Sequence, residues 1–185
     1  RLPAEYERYT VGTWVGEIGR LMTTRNFIVT DAGGQRIAAA STLWAMIDVK
    51  TRQPLDLRDN VDYSRALLAI PCPIDKPAKI GRIEGVPCDS RRVRYSDIDF
   101  NQHTNSMKYI QWMLDALPLE KLTGCRMKRL DVNFVHETRY GQQLVVCCEC
   151  GTDRDRFEIR FEDGTAACKA AIRWETSDER SNQTA

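Results

Sequence analysis

The sequence predicts an α+β protein built mainly of antiparallel sheet, and three observations carry that reading. Apolar residues alternate along several short runs separated by turn signals, the period of half-buried strands. Only one segment, residues 104–117, keeps the helical period over several turns. Strands come first, then a proline-rich stretch, then one helix and four more strands, so helix and sheet are segregated rather than alternating.

The first part reads as sheet. Residues 11–18 and 26–30 are strand candidates. Asp31-Ala32-Gly33-Gly34 is a turn signal, and residues 36–49 continue with Ile37, Leu43, Trp44 and Ile47. Two apolar runs around a Gly-Gly pair are a hairpin signature. Five of the seven prolines (Pro54, Pro71, Pro73, Pro77 and Pro87) then fall within residues 50–92. Proline lacks the N–H that a ladder needs, so this stretch reads as a connector with short ordered pieces such as residues 63–68. The expected organisation is a first sheet unit at 1–50, a connector at 51–90, a second unit at 91–176 and a polar, fraying tail at 177–185.

The second unit opens with a strand-like run at 92–96. The helix that follows spans about four turns and places Met107, Ile110, Met113, Leu114 and Leu117 on one face. Pro118 stops it or begins a new turn. Residues 127–136 alternate, with Leu130, Val132 and Phe134 on one side and Asp131 and Asn133 on the other. Strand runs at 142–150 and 156–161 follow. Asp163-Gly164 is a hairpin turn, and residues 165–174 set Cys168, Ala170, Ile172 and Trp174 on one face.

With 185 residues the chain can bury a sizeable core without staples. A formal net charge of +1 argues against nucleic-acid binding by bulk charge. No apolar run is long enough to span a membrane, and no secretory leader pattern opens the sequence, so a soluble, intracellular chain is expected. The seven cysteines are irregularly spaced, and Cys147, Cys148 and Cys150 form their only cluster. Neighbouring strand residues face opposite ways. No paired Cys-x-x-Cys occurs and there are two histidines, so reduced, partly buried thiols are expected rather than a zinc site.

Asp99, Asn101 and His103 stand at steps of two just before the helix. If extended, they share a face. If turning, they crowd a helix N-terminus, where unpaired N–H groups favour negative charge. Ester-type hydrolysis needs preset donors of this kind for the oxyanion. Each residue alone also has a plainer reading, Asp99 or Asn101 as a helix cap and His103 as a satisfied polar side chain. Glu137 is the second acidic candidate, at the end of an apolar strand in Phe134-Val135-His136-Glu137-Thr138. It reads as a general base or as a solvated strand end. Strict alternation puts His136, not Glu137, on the side of Leu130, and leaves open which of the two enters the site.

Tyr95-Ser96-Asp97-Ile98-Asp99-x-Asn101-Gln102-His103-x-Asn105-x-x-Lys108-Tyr109-Ile110 resembles the signature of the plant and bacterial acyl-[acyl carrier protein] thioesterases. Thr13-Trp14-Val15, Arg25-Asn26-Phe27, the run from Ala40 to Ile47, and Thr51-Arg52 with Pro54 resemble the first repeat of that family. The likeness implies a double hotdog, two fused units each with a sheet wrapped around a long helix. The first unit would house the acyl chain, here lacking its opening strand and helix, and the second would carry catalysis. It implies hydrolysis of fatty acyl-[acyl carrier protein] in fatty acid biosynthesis, with Asp99, Asn101, His103 and Glu137 in the catalytic positions and no metal or organic cofactor.

The implied partner is acyl carrier protein with its phosphopantetheine-linked acyl chain, in the bacterial cytoplasm or the plastid stroma. No nucleic acid or membrane span enters this picture, and a homodimer is compatible with it. Plant members carry a cysteine after the glutamate; here Thr138 stands there, which implies a carboxylate-based scheme. Glu137 would activate water or attack directly, Asn101 and His103 would position water or carbonyl, Asp99 would orient them or share the base role, and N–H groups at the helix start would hold the oxyanion. Docking charges would come from Arg91, Arg92, Arg94, Lys108, Arg126, Lys128 and Arg129. A hotdog acyl-CoA thioesterase and an inactive acyl- or carrier-binding module are the alternatives.

Overall fold

The alternating runs of the N-terminal part pair as an antiparallel meander of β1 (Tyr9–Ile18), β2 (Thr23–Asp31) and β3 (Arg36–Trp44). The computed structural model describes residues 4–60, 62, 68 and 70–175, and divides the chain into units 1–77 and 78–185. At the β2–β3 turn, Asp31 Oδ1 accepts the amides of Gly33 (3.0 Å) and Gln35 (2.9 Å). Gly34 takes φ +81°, where a side chain would be strained.

β3 ends at Trp44 rather than running on to residue 49. Asp48 is the reason: its Oδ1 accepts the amides of Lys50 (3.0 Å) and Thr51 (2.7 Å), and a local carboxylate–amide turn displaces the ladder. A short helix α1 (Leu57–Asn60) follows and buries Leu57. Of the ordered piece expected at 63–68, only Leu68 is among the described residues, and the polar tail at 177–185 lies outside them.

The C-terminal unit consists of β4 (Val86–Arg92), a single 3₁₀ turn (Tyr95–Asp97), α2 (Ser106–Asp115), α3 (Leu119–Gly124), β5 (Met127–Phe134), β6 (Gln143–Cys150), β7 (Arg154–Phe161) and β8 (Ala166–Trp174). The strands form one antiparallel sheet in the order β4-β6-β7-β8-β5. Its opening strand therefore precedes the run predicted at 92–96, inside the stretch read as connector. Pro87 misleads there. β4 is an edge strand with a bulge between Pro87 and Asp89, one of the few places where a sheet tolerates proline.

α2 is shorter than the predicted four turns because Asn105 caps it, its Oδ1 accepting the Met107 amide (2.9 Å). Its buried face is Tyr109, Trp112 and Met113, continued by Leu117. Met107, expected inside, is 64% exposed. Leu144 and Val146 of β6, Phe157 and Ile159 of β7, and Cys168, Ala170, Ile172 and Trp174 of β8 complete one core with that face. The β8 alternation is as the sequence predicts. Pro118 caps α3 at its N-terminus.

Asp131 and Asn133 point away from this core. Asp131 Oδ1 accepts the Ala78 amide (3.0 Å), and Asn133 Oδ1 accepts that of Ile80 (2.8 Å). These polar positions thus hold a chain segment against the sheet instead of facing bare solvent. No helix among the described residues is long and apolar enough to cross a membrane.

Candidate active site

The polar cluster before α2 folds as a closed loop. Its neck is fastened by Asn105 N–H to Asp97 O (2.8 Å), by an Ile98–Thr104 bridge, and by Asp99 N–H to His103 O (2.9 Å). Inside the loop, Asp99 Oδ1 accepts the amides of Asn101 (2.8 Å) and His103 (3.3 Å). Gln102 takes φ +62°, which tightens the turn. Asp99, Asn101 and His103 therefore do not lie along an extended strand. Asp99 organises the loop through its neighbours' backbone, and Asn101 and His103 line a cleft of ≈ 820 Å³ together with Tyr95, Phe100, Arg139 and Tyr140.

Glu137 meets this loop from the segment that follows β5. Its Oε2 lies 3.2 Å from His103 Nε2, with both side chains part-exposed. The alternation of β5 left open whether His136 or Glu137 enters the site, and the backbone shows how the choice is made. The amides of Val135 and His136 both donate to Ala167 O (2.9 and 3.0 Å), an irregularity that shifts the side-chain phase after Phe134. His136 turns outward, with Nδ1 2.9 Å from Ala166 O.

Thr138, next in sequence, is fully buried. It bonds to Thr104 Oγ1 (2.6 Å) and to the Tyr109 hydroxyl (2.8 Å). Burial pushes the Tyr109 phenol up from its ordinary value, partly offset by its hydrogen bonds to Thr138. Sequence reasoning missed this hydroxyl cluster and the aromatic cleft wall. The available signal was that Thr104 and Thr138 each directly follow a candidate residue.

Most of the amides at the helix start are already paired. Thr104 N–H goes to Thr138 O (2.8 Å), Asn105 N–H to Asp97 O, Met107 N–H to Asn105 Oδ1 and Lys108 N–H to Asn105 O. Capping takes most of the donors that a bare helix end would offer. Most of the predicted docking charges are also engaged: Arg91 with Asp89 (2.6 Å), Lys108 with Asp97 (3.6 Å), Arg126 with Glu175 (3.7 Å) and Arg129 with Asp131 (2.7 Å). Arg92, Arg94 and Arg139 are exposed. The cysteines are free thiols; burial pushes that of Cys168 up to about 12. Among the described residues no group of His, Cys, Asp and Glu is arranged to hold a metal ion.

Residues 84–176 match the acyl-ACP thioesterase C-terminal domain, and residues 1–63 match the acyl-ACP thioesterase N-terminal domain. A palmitoyl-acyl carrier protein thioesterase, chloroplastic, of Cuphea hookeriana is 27% identical over 191 residues, covering 94% of this chain and 45% of that protein. The chain spans about half the length of the curated relatives it matches. An acyl-ACP thioesterase of Bacteroides thetaiotaomicron superposes with a TM-score of 0.87 at 33% identity, covering 94% of this chain and 71% of that one. The 12:0-ACP thioesterase of Umbellularia californica shares the fold with a TM-score of 0.77 at 20% identity, covering 94% and 70%. With both family domains matched in order along it, and with the hotdog fold of those neighbours, this chain belongs to the acyl-ACP thioesterase family.

Proposed function

We propose that the chain hydrolyses the thioester of fatty acyl-[acyl carrier protein], releasing free fatty acid and carrier protein. The observation that supports this best is the His103–Glu137 contact, with His103 on the wall of the cleft. Glu137 takes a proton from water as the water oxygen bonds to the thioester carbonyl carbon. His103 holds Glu137 and the water in line. The Asn101 side-chain amide donates to the developing oxyanion, a role for which most of the helix-start amides are already taken. As the C–S bond breaks, the phosphopantetheine thiolate leaves and takes back the proton from Glu137. Asp99 acts through the loop, by fixing the backbone of Asn101 and His103. The scheme needs no metal or organic cofactor.

Arg92, Arg94 and Arg139 are the cations offered to the acidic carrier. The N-terminal unit is assigned the acyl chain, and a cavity of ≈ 300 Å³ between its sheet and Ile70 is compatible with that role. The setting is the plastid stroma or the bacterial cytoplasm, wherever fatty acids are made on carrier protein.

The test is release of fatty acid from a panel of carrier-protein thioesters, with matched acyl-CoA thioesters alongside. Glu137→Gln keeps the shape and removes the base, and lowers turnover about 100-fold or more. Near-normal turnover by that variant overturns the assignment of Glu137. Faster cleavage of the acyl-CoA set transfers the activity to that carrier, and binding without turnover makes the chain a binding module.

A further inference from the structure

The two residues that immediately follow the reacting pair, Thr104 after His103 and Thr138 after Glu137, are buried and doubly bonded to each other. Thr104 N–H donates to Thr138 O (2.8 Å), and the Thr138 hydroxyl donates to Thr104 Oγ1 (2.6 Å). The Tyr109 hydroxyl, from α2, lies 2.8 Å from Thr138 Oγ1 and accepts the Thr138 amide at 3.2 Å. Proton counting fixes the directions. A threonine hydroxyl carries one proton, and that of Thr138 goes to Thr104. Tyr109 must therefore donate to Thr138, and a phenol pushed up by burial keeps the proton that it donates.

We propose that this three-hydroxyl cluster sets the distance between His103 and Glu137, with Thr138 as a positioning residue for thioester hydrolysis. The proposal rests on the reading of His103 and Glu137 as the reacting pair. That pair is part-exposed, and an exposed pair holds little geometry of its own. Its two halves lie on separate loops, and the cluster bonds those loops together one residue further along, where both are buried. Tyr109 is itself fixed, with its ring edge-on to Trp112 (centroids 5.7 Å apart) and to Phe134 (5.8 Å). The core of the unit thus reaches the reacting pair through Tyr109, Thr138 and Thr104. Thr138 is not a nucleophile: its oxygen is out of reach of substrate and its proton is committed.

The test compares the intact chain with Thr138→Val, Thr138→Ser, Glu137→Gln and the Thr138→Val/Glu137→Gln double variant. Thr138→Val lowers kcat about 10- to 100-fold, the scale of a sub-ångström to 1 Å misplacement, with little change in KM. Thr138→Ser, which keeps the hydroxyl, restores most of kcat. In the Glu137→Gln background Thr138→Val costs no further activity.

A readout without substrate is the imidazole ¹⁵N spectrum. There are two histidines, and His136, bonded to Ala166 O, is the internal control. Glu137→Gln shifts the His103 signals in the otherwise unaltered chain, and that response disappears with Thr138→Val while His136 stays put. An undiminished His103 response, an additive loss in the double variant, or a folded Thr138→Ser without recovery overturns the proposal. If the unaltered chain cleaves no carrier thioester, the proposed function fails, and the ¹⁵N comparison still decides whether the cluster sets the pair. Should Thr138→Val not fold, Tyr109→Phe removes one hydroxyl of the cluster and is read by the same spectrum.

Discussion

The two units bury their sheets with different material. In the C-terminal unit, Trp112 and Met113 of α2 meet Leu144, Val146, Phe157, Ile159 and Ile172 in one apolar core. In the N-terminal unit, the buried apolar residues among those described are Trp14, Val15 and Leu57, beside the buried polar Thr23, Thr24 and Asn26. A close-packed apolar core transmits position and resists displacement, and the loops that carry His103 and Glu137 are fastened to such a core. The contrast suits the proposed placement of the reacting pair on the C-terminal unit.

The contrast is broken or sharpened by substitution. Phe157 is fully buried at the centre of the C-terminal core. Phe157→Ala should cost about 3–5 kcal/mol, read from the denaturant midpoint at constant m. A loss under about 1 kcal/mol would mean that this core does not hold the unit. In the N-terminal unit, Asn26 accepts the Ser41 hydroxyl (2.9 Å) beside the cavity. Asn26→Ala should cost about 1 kcal/mol, since one net hydrogen bond is lost at a site that water can reach. A cost as large as that of Phe157→Ala would erase the difference between the units.

The smallest effect is electrostatic. The Arg129 guanidinium hydrogen-bonded to Asp131 holds that carboxyl below its ordinary 3.8, with the Ala78 amide adding to it. A carboxyl depressed in the folded state stabilises above its unfolded value and loses that contribution as pH falls through the folded one. The stability gap between the unaltered chain and Asp131→Asn should therefore be constant near neutrality and shrink below pH 3.8. A gap that persists unchanged to about pH 2 would show that the charge of Asp131 does not hold residues 78–80.

Strand positions were legible where a period ran undisturbed. On β8 the expected set Cys168, Ala170, Ile172 and Trp174 is buried, and Ala167 and Ala171 of the other phase are buried with it. β4 was not legible, because Pro87 reads as a breaker until one knows that its strand is an edge with a bulge. On α2 the period was right and the face was rotated: aromatic Tyr109 and Trp112 took the interior, and Met107 was left outside. Which side of a helix faces in depends on what the sheet presents, and no local pattern contains that.

The sequence by itself determined the α+β class, most of the strands, the family, and the loop whose Asp99, Asn101 and His103 stand ahead of a capped helix. These follow from periods and turn chemistry, which act over a few residues, and from a motif that is contiguous. Only the tertiary structure decided that Glu137 and not His136 meets His103, and that Thr138 closes a hydroxyl cluster with Thr104 and Tyr109. Each of these joins residues 29 to 34 positions apart. A shared carbonyl at Ala167 changes the phase of one strand end, and with it the side chain that reaches the cleft.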